Sequence, residues 1–181
     1  DAWFRKGVLK NIDIQFMNAG GVIFGVKDYV PALMEYVKKY DASLNFFHNL
    51  IAVDGPAKTA TFAVNAPDAE PATVTVEFDM LHVCPPQTAP DFIRVSPLAD
   101  AAGWVDVDQA TLRHTRYDNI WSLGDVMNAP NAKTAAAARK QAPTVADNIV
   151  ADIRGRSAVA QYDGYGSCPL TVERGKIVLA E

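Results

Sequence analysis

The segment from Ile120 to Gln141, IWSLGDVMNAPNAKTAAAARKQ, holds the residues with the most chemical potential in this chain. A short apolar run ends in Gly124-Asp125, where glycine lets a ligand approach the backbone closely and the carboxylate of Asp125 can accept hydrogen bonds from sugar hydroxyls. Lys133 and Thr134 then open a helix read as running from about Ala132 to Arg154. Its first N–H groups, at Ala132 to Thr134, lack intrahelical acceptors, and its positive dipole end suits an anion or an electron-rich carbonyl. A lysine there stands at the unfavourable end of that dipole, which favours a functional role for Lys133 over a solvated first-turn residue. Ala135 to Ala138 leave space for a flat ring system along the helix. The same residues also suit a plain strand-turn-helix corner in which Asp125 only caps, and spacing alone leaves both readings open.

Cysteine and histidine extend the inventory. Cys168 lies in YGSCPL, a turn-like setting compatible with exposure, whereas Cys84 ends an apolar stretch and reads as a small core residue. Two cysteines this far apart form neither a disulfide framework nor a zinc site. His82, between Leu81 and Val83, reads as a satisfied strand histidine; His48 and His114 sit in polar turns without metal-ligand spacing, so no metal is expected. The charges of VERGK suit a solvated hairpin face.

These groups need elements to hold them. NIDIQF alternates as a half-buried strand, the turn NAGG follows, and Asp28 can cap a helix whose apolar face is Val30, Leu33, Met34 and Val37, with Pro31 in its first turn. SLNFFHNLIAV, TATFAV and VTVEF read as strands separated by DGPAK and NAPDAEPA. The proline-rich stretch from Pro85 to Pro97 reads as an irregular crossover, followed by a short strand at GWVDV. The long helix is expected to bury Ala146, Ile149, Val150 and Ile153, to kink or divide near Arg139 to Ala142 because of Pro143, and to end at Gly155. Ile177 and Leu179 mark a last strand. The fold class is therefore α/β: a strand-helix unit, a β-meander and a long alanine-rich helix. There is no internal repeat or low-complexity linker.

Composition sets limits. The chain has 181 residues, 49% of them hydrophobic and 21% charged, enough for a buried core in one domain or a small pair. A net charge of -4 with scattered basic residues gives no phosphate-backbone footprint, so nucleic acid is not an expected partner. The absence of a long apolar run or of a signal-peptide pattern makes this stretch read as soluble.

IWSLGDVMN followed by a lysine and an alanine-rich helix resembles the second flavin-binding motif of the pyridine-nucleotide disulfide oxidoreductase superfamily. More specifically, GVIFGVKDYVPAL, DMLHVCPP, SPLADAAGWVDVDQATLRHTRYDNIWSLGD and YDGYGSCPLTVERGKIVLAE resemble segments of the sulfide:quinone oxidoreductases, in the family's order and across nearly the whole chain. The resemblance implies two Rossmann-type domains and FAD as cofactor. Gly124 and Asp125 would hold its ribityl and pyrophosphate region, and Lys133 and Thr134 would lie near the pyrimidine edge of the ring, where a cation stabilises the reduced, anionic form. Pro85 and Pro86 match the crossover back into the FAD domain, and Cys168 matches one of two redox cysteines that carry sulfur between them before electrons pass to quinone. Sulfide and quinone would be the substrates, on an enzyme that rests peripherally on a respiratory membrane and can form a homo-oligomer.

The departures shape the expectation. No G-x-G-x-x-G follows a strand here to seat the pyrophosphate, and Cys84 is no evident substitute for the family's upstream partner cysteine. The chain reads as a C-terminal portion of such an enzyme. Residues 1–83 would form part of the second nucleotide-type domain, 84–154 the C-terminal segment of the FAD domain, and 155–181 the start of a C-terminal region carrying the redox cysteine. It stops short of the amphipathic helices that rest on the membrane. Alone it is expected to be inactive, with exposed apolar surface favouring self-association. The alternative is another two-domain flavoprotein, a type II NADH dehydrogenase or a flavocytochrome c sulfide dehydrogenase subunit, in which Cys168 has no sulfur role.

Overall fold

Alternation of apolar and polar residues produces strands at both ends of the chain, and helical spacing produces two substantial helices between them. A computed structural model describes residues 1–131 and 133–180; Ala132, expected to begin the long helix, lies outside them. The chain divides into two compact units, one of Asp1–Cys84 with Leu170–Val178, the other of Pro85–Pro169 with the last residues.

The first unit starts with a short helix α1 (Ala2–Arg5). Strand β1 (Ile14–Asn18) runs parallel to β2 (Ala42–Phe46), in the register Ile14 to Ala42 and Asn18 to Phe46, and helix α2 (Val30–Lys39) is the crossover between them. This is the expected strand-helix unit, with two differences. Asp28 lies inside a 3-10 turn, Lys27–Tyr29, and the residue before α2 is Tyr29, which makes no side-chain cap. Met34 faces solvent, because the half-buried face of α2 passes through Leu33, Tyr36 and Val37 instead. The meander is antiparallel: β3 (His48–Asp54), β4 (Thr59–Val64) and β5 (Ala72–Glu77), with β4 central and carrying the buried Ala60 and Phe62. His48 thus opens a strand and does not sit in a turn; its Nδ1 lies 2.6 Å from the Phe46 carbonyl. Strands β6 (Cys168–Glu173) and β7 (Lys176–Ala180) form a hairpin. Its Leu170–Val178 portion belongs to the first unit, where the Tyr40 hydroxyl donates to the Val172 carbonyl at 2.8 Å.

The second unit contains little regular sheet. After α3 (Asp91–Arg94), the expected strand at GWVDV is reduced to single bridges: Ala99 to Val105, Val105 to Met127 and Val107 to His114. Side chains replace the missing ladder. Asp108 accepts from the Thr111 N–H and hydroxyl, both at 2.8 Å, which holds its carboxyl below the usual carboxylate range. His114, expected in a polar turn, is buried there; its Nε2 lies 3.0 Å from the Leu98 carbonyl, and its Nδ1 accepts from the Arg116 and Tyr117 N–H groups. The core collects Val105, Val107, Leu112, Met127, Val145 and Tyr162.

Helix α4 (Ala135–Ile153) is continuous through Pro143, which therefore neither divides it nor stops it. Pro143 is exposed, so the Arg139 carbonyl that its ring leaves without a donor lies where water can reach it. The buried face also differs from the apolar stripe read from sequence. Val150 and Ile153 are exposed, and the residues turned inward are Ala137, Gln141, Thr144, Val145, Asn148 and Ala151. That spacing is helical, but its content is small and polar. At the far end Gly155, at φ +67°, donates to the Asp152 carbonyl and Arg156 to that of Ala151, the paired bonds of a Schellman cap.

Candidate functional site

The corner at Gly124 is a 3-10 turn, Gly124–Val126, reached from extended backbone at Leu123. Gly124 has φ +75°, a region open to glycine at little cost. Its N–H donates to Oε1 of Gln141, two turns into α4, at 2.7 Å. The helix begins three residues later than the first N–H site proposed from sequence. Thr134 is its N-cap, with Oγ1 accepting from the Ala137 N–H at 3.2 Å, which leaves the Ala135 and Ala136 N–H groups as the first-turn donors without intrahelical acceptors. Gly124, Ala129, Asn131, Lys133, Thr134, Ala137 and Gln141 line one crevice. Of the expected alanine platform, Ala137 is buried in its wall, Ala138 lies against Gly124, and Ala135 is exposed.

Lys133 is half-buried just before the cap. Its Nζ donates to the Met127 carbonyl at 2.5 Å and lies 4.0 Å from the centre of the Trp104 ring. Burial holds its pKa below the ordinary lysine value, while the charges of Asp125 and Asp100 act in the opposite sense. Asp125 is exposed. The crevice therefore combines a cation with a helix N-terminus, and the exposed Asp125 follows its Gly124 corner in sequence, a mixture able to engage an electron-rich heterocycle and hydroxyls together.

The approach to Cys168 is tied to the same crevice. Asn131 donates to the Tyr162 hydroxyl at 2.7 Å and to the Tyr165 carbonyl at 3.4 Å, and a Cβ on Gly166 would come within 3.4 Å of its Nδ2. The Tyr162 hydroxyl also donates to the Tyr165 carbonyl, and Lys140 of α4 lies over the Tyr165 ring at 5.5 Å. The loop that leads into Cys168 is thus docked on Asn131, a residue of the crevice wall, and on the N-terminal half of α4. Cys168 is a partly exposed free thiol at the first position of β6.

Gly124, Lys133 and Thr134 share the crevice, and the loop carrying Cys168 abuts its wall. Pro85 and Pro86 do not line it; they are exposed at the start of the second unit. Cys84 is exposed, not buried in a strand, and His82 lies outside the strands with Nε2 3.2 Å from the Cys84 Sγ. The stretch from Leu81 to Cys84 has no strand partner, so its alternation buries nothing. No group of three or more potential metal ligands occurs among the described residues, and no helix among them is long and apolar enough to cross a membrane. Sequence reasoning missed Gln141 and Asn131. A glutamine on the alanine-lined face four residues after Ala137 was the available signal, and helical spacing places both on one side.

No family model matches the chain. Over its whole length it is 42% identical to the mitochondrial sulfide:quinone oxidoreductase of Mus musculus, of which it covers 40%, and 36% identical to that of Schizosaccharomyces pombe, of which it covers 39%. Among solved structures, 91% of it superposes on 39% of one chain of the Tetrahymena thermophila mitochondrial ATP synthase assembly, with TM-score 0.76 and 25% identity. It also shares the fold of the sulfide:quinone oxidoreductase from Aquifex aeolicus, with TM-score 0.67, 17% identity, and coverage of 85% of this chain and 38% of that one. The chain spans about two-fifths of the length of the relatives it matches.

Proposed function

We propose, for a chain that is homologous along its whole length to the sulfide:quinone oxidoreductases, that it forms the part of such an enzyme that closes over the flavin ring and carries one sulfur-handling thiol. The identities of 36% to 42% do not favour a type II NADH dehydrogenase or a flavocytochrome c subunit. The observation that carries the reading is the crevice at the start of α4, where a glycine corner, a helix N-terminus and Lys133 converge.

These residues suit FAD. A flat ring can lie across Thr134 and the first turn of α4, whose Ala135 and Ala136 N–H groups supply donors for its carbonyl oxygens. Lys133, held over Trp104 by the Met127 carbonyl, provides positive charge on the same side. Asp125 would accept hydrogen bonds from hydroxyls of the chain linking ring and phosphates, and Pro85 and Pro86 keep the role of a crossover. When bound, FAD takes an electron pair from sulfur and delivers it to quinone.

Cys168 holds the sulfur. Cys168 is a partly exposed free thiol, and the loop before it is fixed by Asn131 and Tyr162, which limits its freedom. The intact enzyme would oxidise sulfide, reduce quinone and rest on a respiratory membrane. The test is Cys168→Ser in the full-length enzyme. The flavin absorbance band is expected to be retained while sulfide-dependent quinone reduction falls by at least about a hundredfold, the scale of losing a covalent nucleophile; turnover within a factor of two of the parent overturns the role.

A further inference from the structure

Tyr162 stands between the core of the second unit and the loop that ends in Cys168. Its ring is 7% exposed and belongs to the core cluster of Val105, Leu112 and Met127, and its N–H donates to the Ala110 carbonyl at 2.8 Å. Ring and backbone are held from two sides, so the hydroxyl is carried to a fixed place. There it donates to the Tyr165 carbonyl, which can only accept, and its oxygen is in turn the acceptor for Asn131 Nδ2 at 2.7 Å. The bonds therefore run in one direction, from Asn131 through Tyr162 to Tyr165. Asn131 lies just before Thr134, the N-cap of α4, and Tyr165 lies just before Cys168. Between Tyr165 and Cys168 the chain stays close to the same amide: a Cβ on Gly166 would lie 3.4 Å from Asn131 Nδ2, and Ser167 is buried.

We propose that Tyr162 and Asn131 are positioning residues for the Cys168 thiol: the core holds the tyrosine ring, and its hydroxyl fixes the loop relative to the start of α4. The inference rests on the sulfur role given to Cys168 above and adds the means by which that thiol is aimed. Without the hydroxyl the loop keeps its internal turn, in which Asp163 accepts the Tyr165 N–H at 3.0 Å. Its tie to the start of α4 is then reduced to the direct contact of Asn131 Nδ2 with the Tyr165 carbonyl, which at 3.4 Å is long for a hydrogen bond. A thiol that samples more positions spends less time at reacting distance, so the rate of the sulfur step falls while the binding of substrate does not change.

The experiment uses the full-length enzyme with Tyr162→Phe, Asn131→Ala or both. It reads kcat per bound flavin, KM for sulfide, the rate of Cys168 alkylation by iodoacetamide followed by peptide mass spectrometry, and the thermal melt. For Tyr162→Phe, kcat is expected to fall by about tenfold or more with KM within about a factor of two, the pattern of a misplaced reacting group. Cys168 is expected to be alkylated at least about threefold faster, the scale of one lost hydrogen bond holding the loop. The double variant is expected to be no slower than the worse single one, because both substitutions cut the same link. Unchanged kcat or unchanged alkylation in Tyr162→Phe overturns the role, and so do losses that multiply in the double variant. A lowered melt with kcat per flavin unchanged makes Tyr162 a packing residue and overturns it too. If Tyr162→Phe does not fold, Asn131→Ala has to show both the slower turnover and the faster alkylation. Unchanged turnover in Cys168→Ser refutes the sulfur reading itself, which is a different result, and the alkylation rates still decide whether the hydroxyl holds the loop.

Discussion

Asn148 shows how much of the second unit depends on single polar side chains. It is completely buried on α4; its Nδ2 donates to the carbonyls of Thr111 and Ala160 at 3.0 and 2.9 Å, and its Oδ1 accepts from the N–H groups of Val159 and Ala160 at 2.8 and 2.9 Å. One amide thereby does for an irregular loop what a strand ladder does for a sheet. Replacing it with leucine leaves two N–H groups and two carbonyls without partners in a dry setting. Asn148→Leu is expected to destabilise the chain by about 3 kcal/mol, at the upper end for a single substitution, and denaturant unfolding measures it directly. A loss below about 1 kcal/mol would mean that water replaces the amide, and that the loop from Ser157 to Tyr162 is held by Tyr162 alone.

Helix α4 links the residue scale to the fold, and it also shows where sequence reading succeeds and fails. Its presence, its approximate end and the glycine in its C-terminal cap were legible, because alanine content, helical spacing and a terminal glycine act locally. Its buried face was not. The apolar residues Val150 and Ile153 point to solvent while Gln141, Thr144 and Asn148 turn inward. The interior they meet is made of loop backbone and the Gly124 corner, which need hydrogen bonds more than apolar surface. The position of Lys133 was legible as a feature of the helix start; its contacts with Trp104 and Met127 were not, since both depend on the irregular packing between Asp100 and Met127. Two opposite effects follow from the helix ends and middle. Thr134→Ala removes the cap to Ala137 and should cost about 1 kcal/mol. Pro143→Ala restores a donor for the Arg139 carbonyl at an exposed position inside an unbroken helix, and should stabilise by about 1 to 2 kcal/mol once the freer unfolded chain is allowed for. Thermal melts of the two variants are expected to move in opposite directions. A melt lowered by Pro143→Ala would show that the proline sets a bend that the core requires.

At the scale of the whole chain, the hairpin near the C-terminus is tied into the first unit, and one of the ties is electrostatic. Glu173, in β6, pairs with Lys39 at the end of α2 and with Lys176 across the hairpin. Lys39 in turn lies between the rings of Phe4, Tyr36 and Tyr40, at 5.1 to 5.5 Å from their centres. The two ammonium groups hold the Glu173 carboxyl down to about 2, from 4.5, and the carboxylate raises both lysines above 10.5. A carboxyl lowered on folding contributes stability that is fully present above the unfolded value, here 4.5, and that is lost as pH falls toward 2. A raised lysine contributes below 10.5, and its contribution fades as pH climbs through the folded value. The tie is therefore complete across the neutral range and weakens at both extremes. Acid unfolding of the chain should steepen between pH 4.5 and 2, and Glu173→Gln should flatten that limb while changing the melt near pH 7 in the destabilising direction. Salt should reduce the difference, because Lys176 is largely solvated. If the acid limbs of the two proteins superpose at low salt, the hairpin is held to α2 by the Tyr40 hydroxyl and the surrounding rings, and the ion pairs contribute nothing measurable, as is common for exposed pairs.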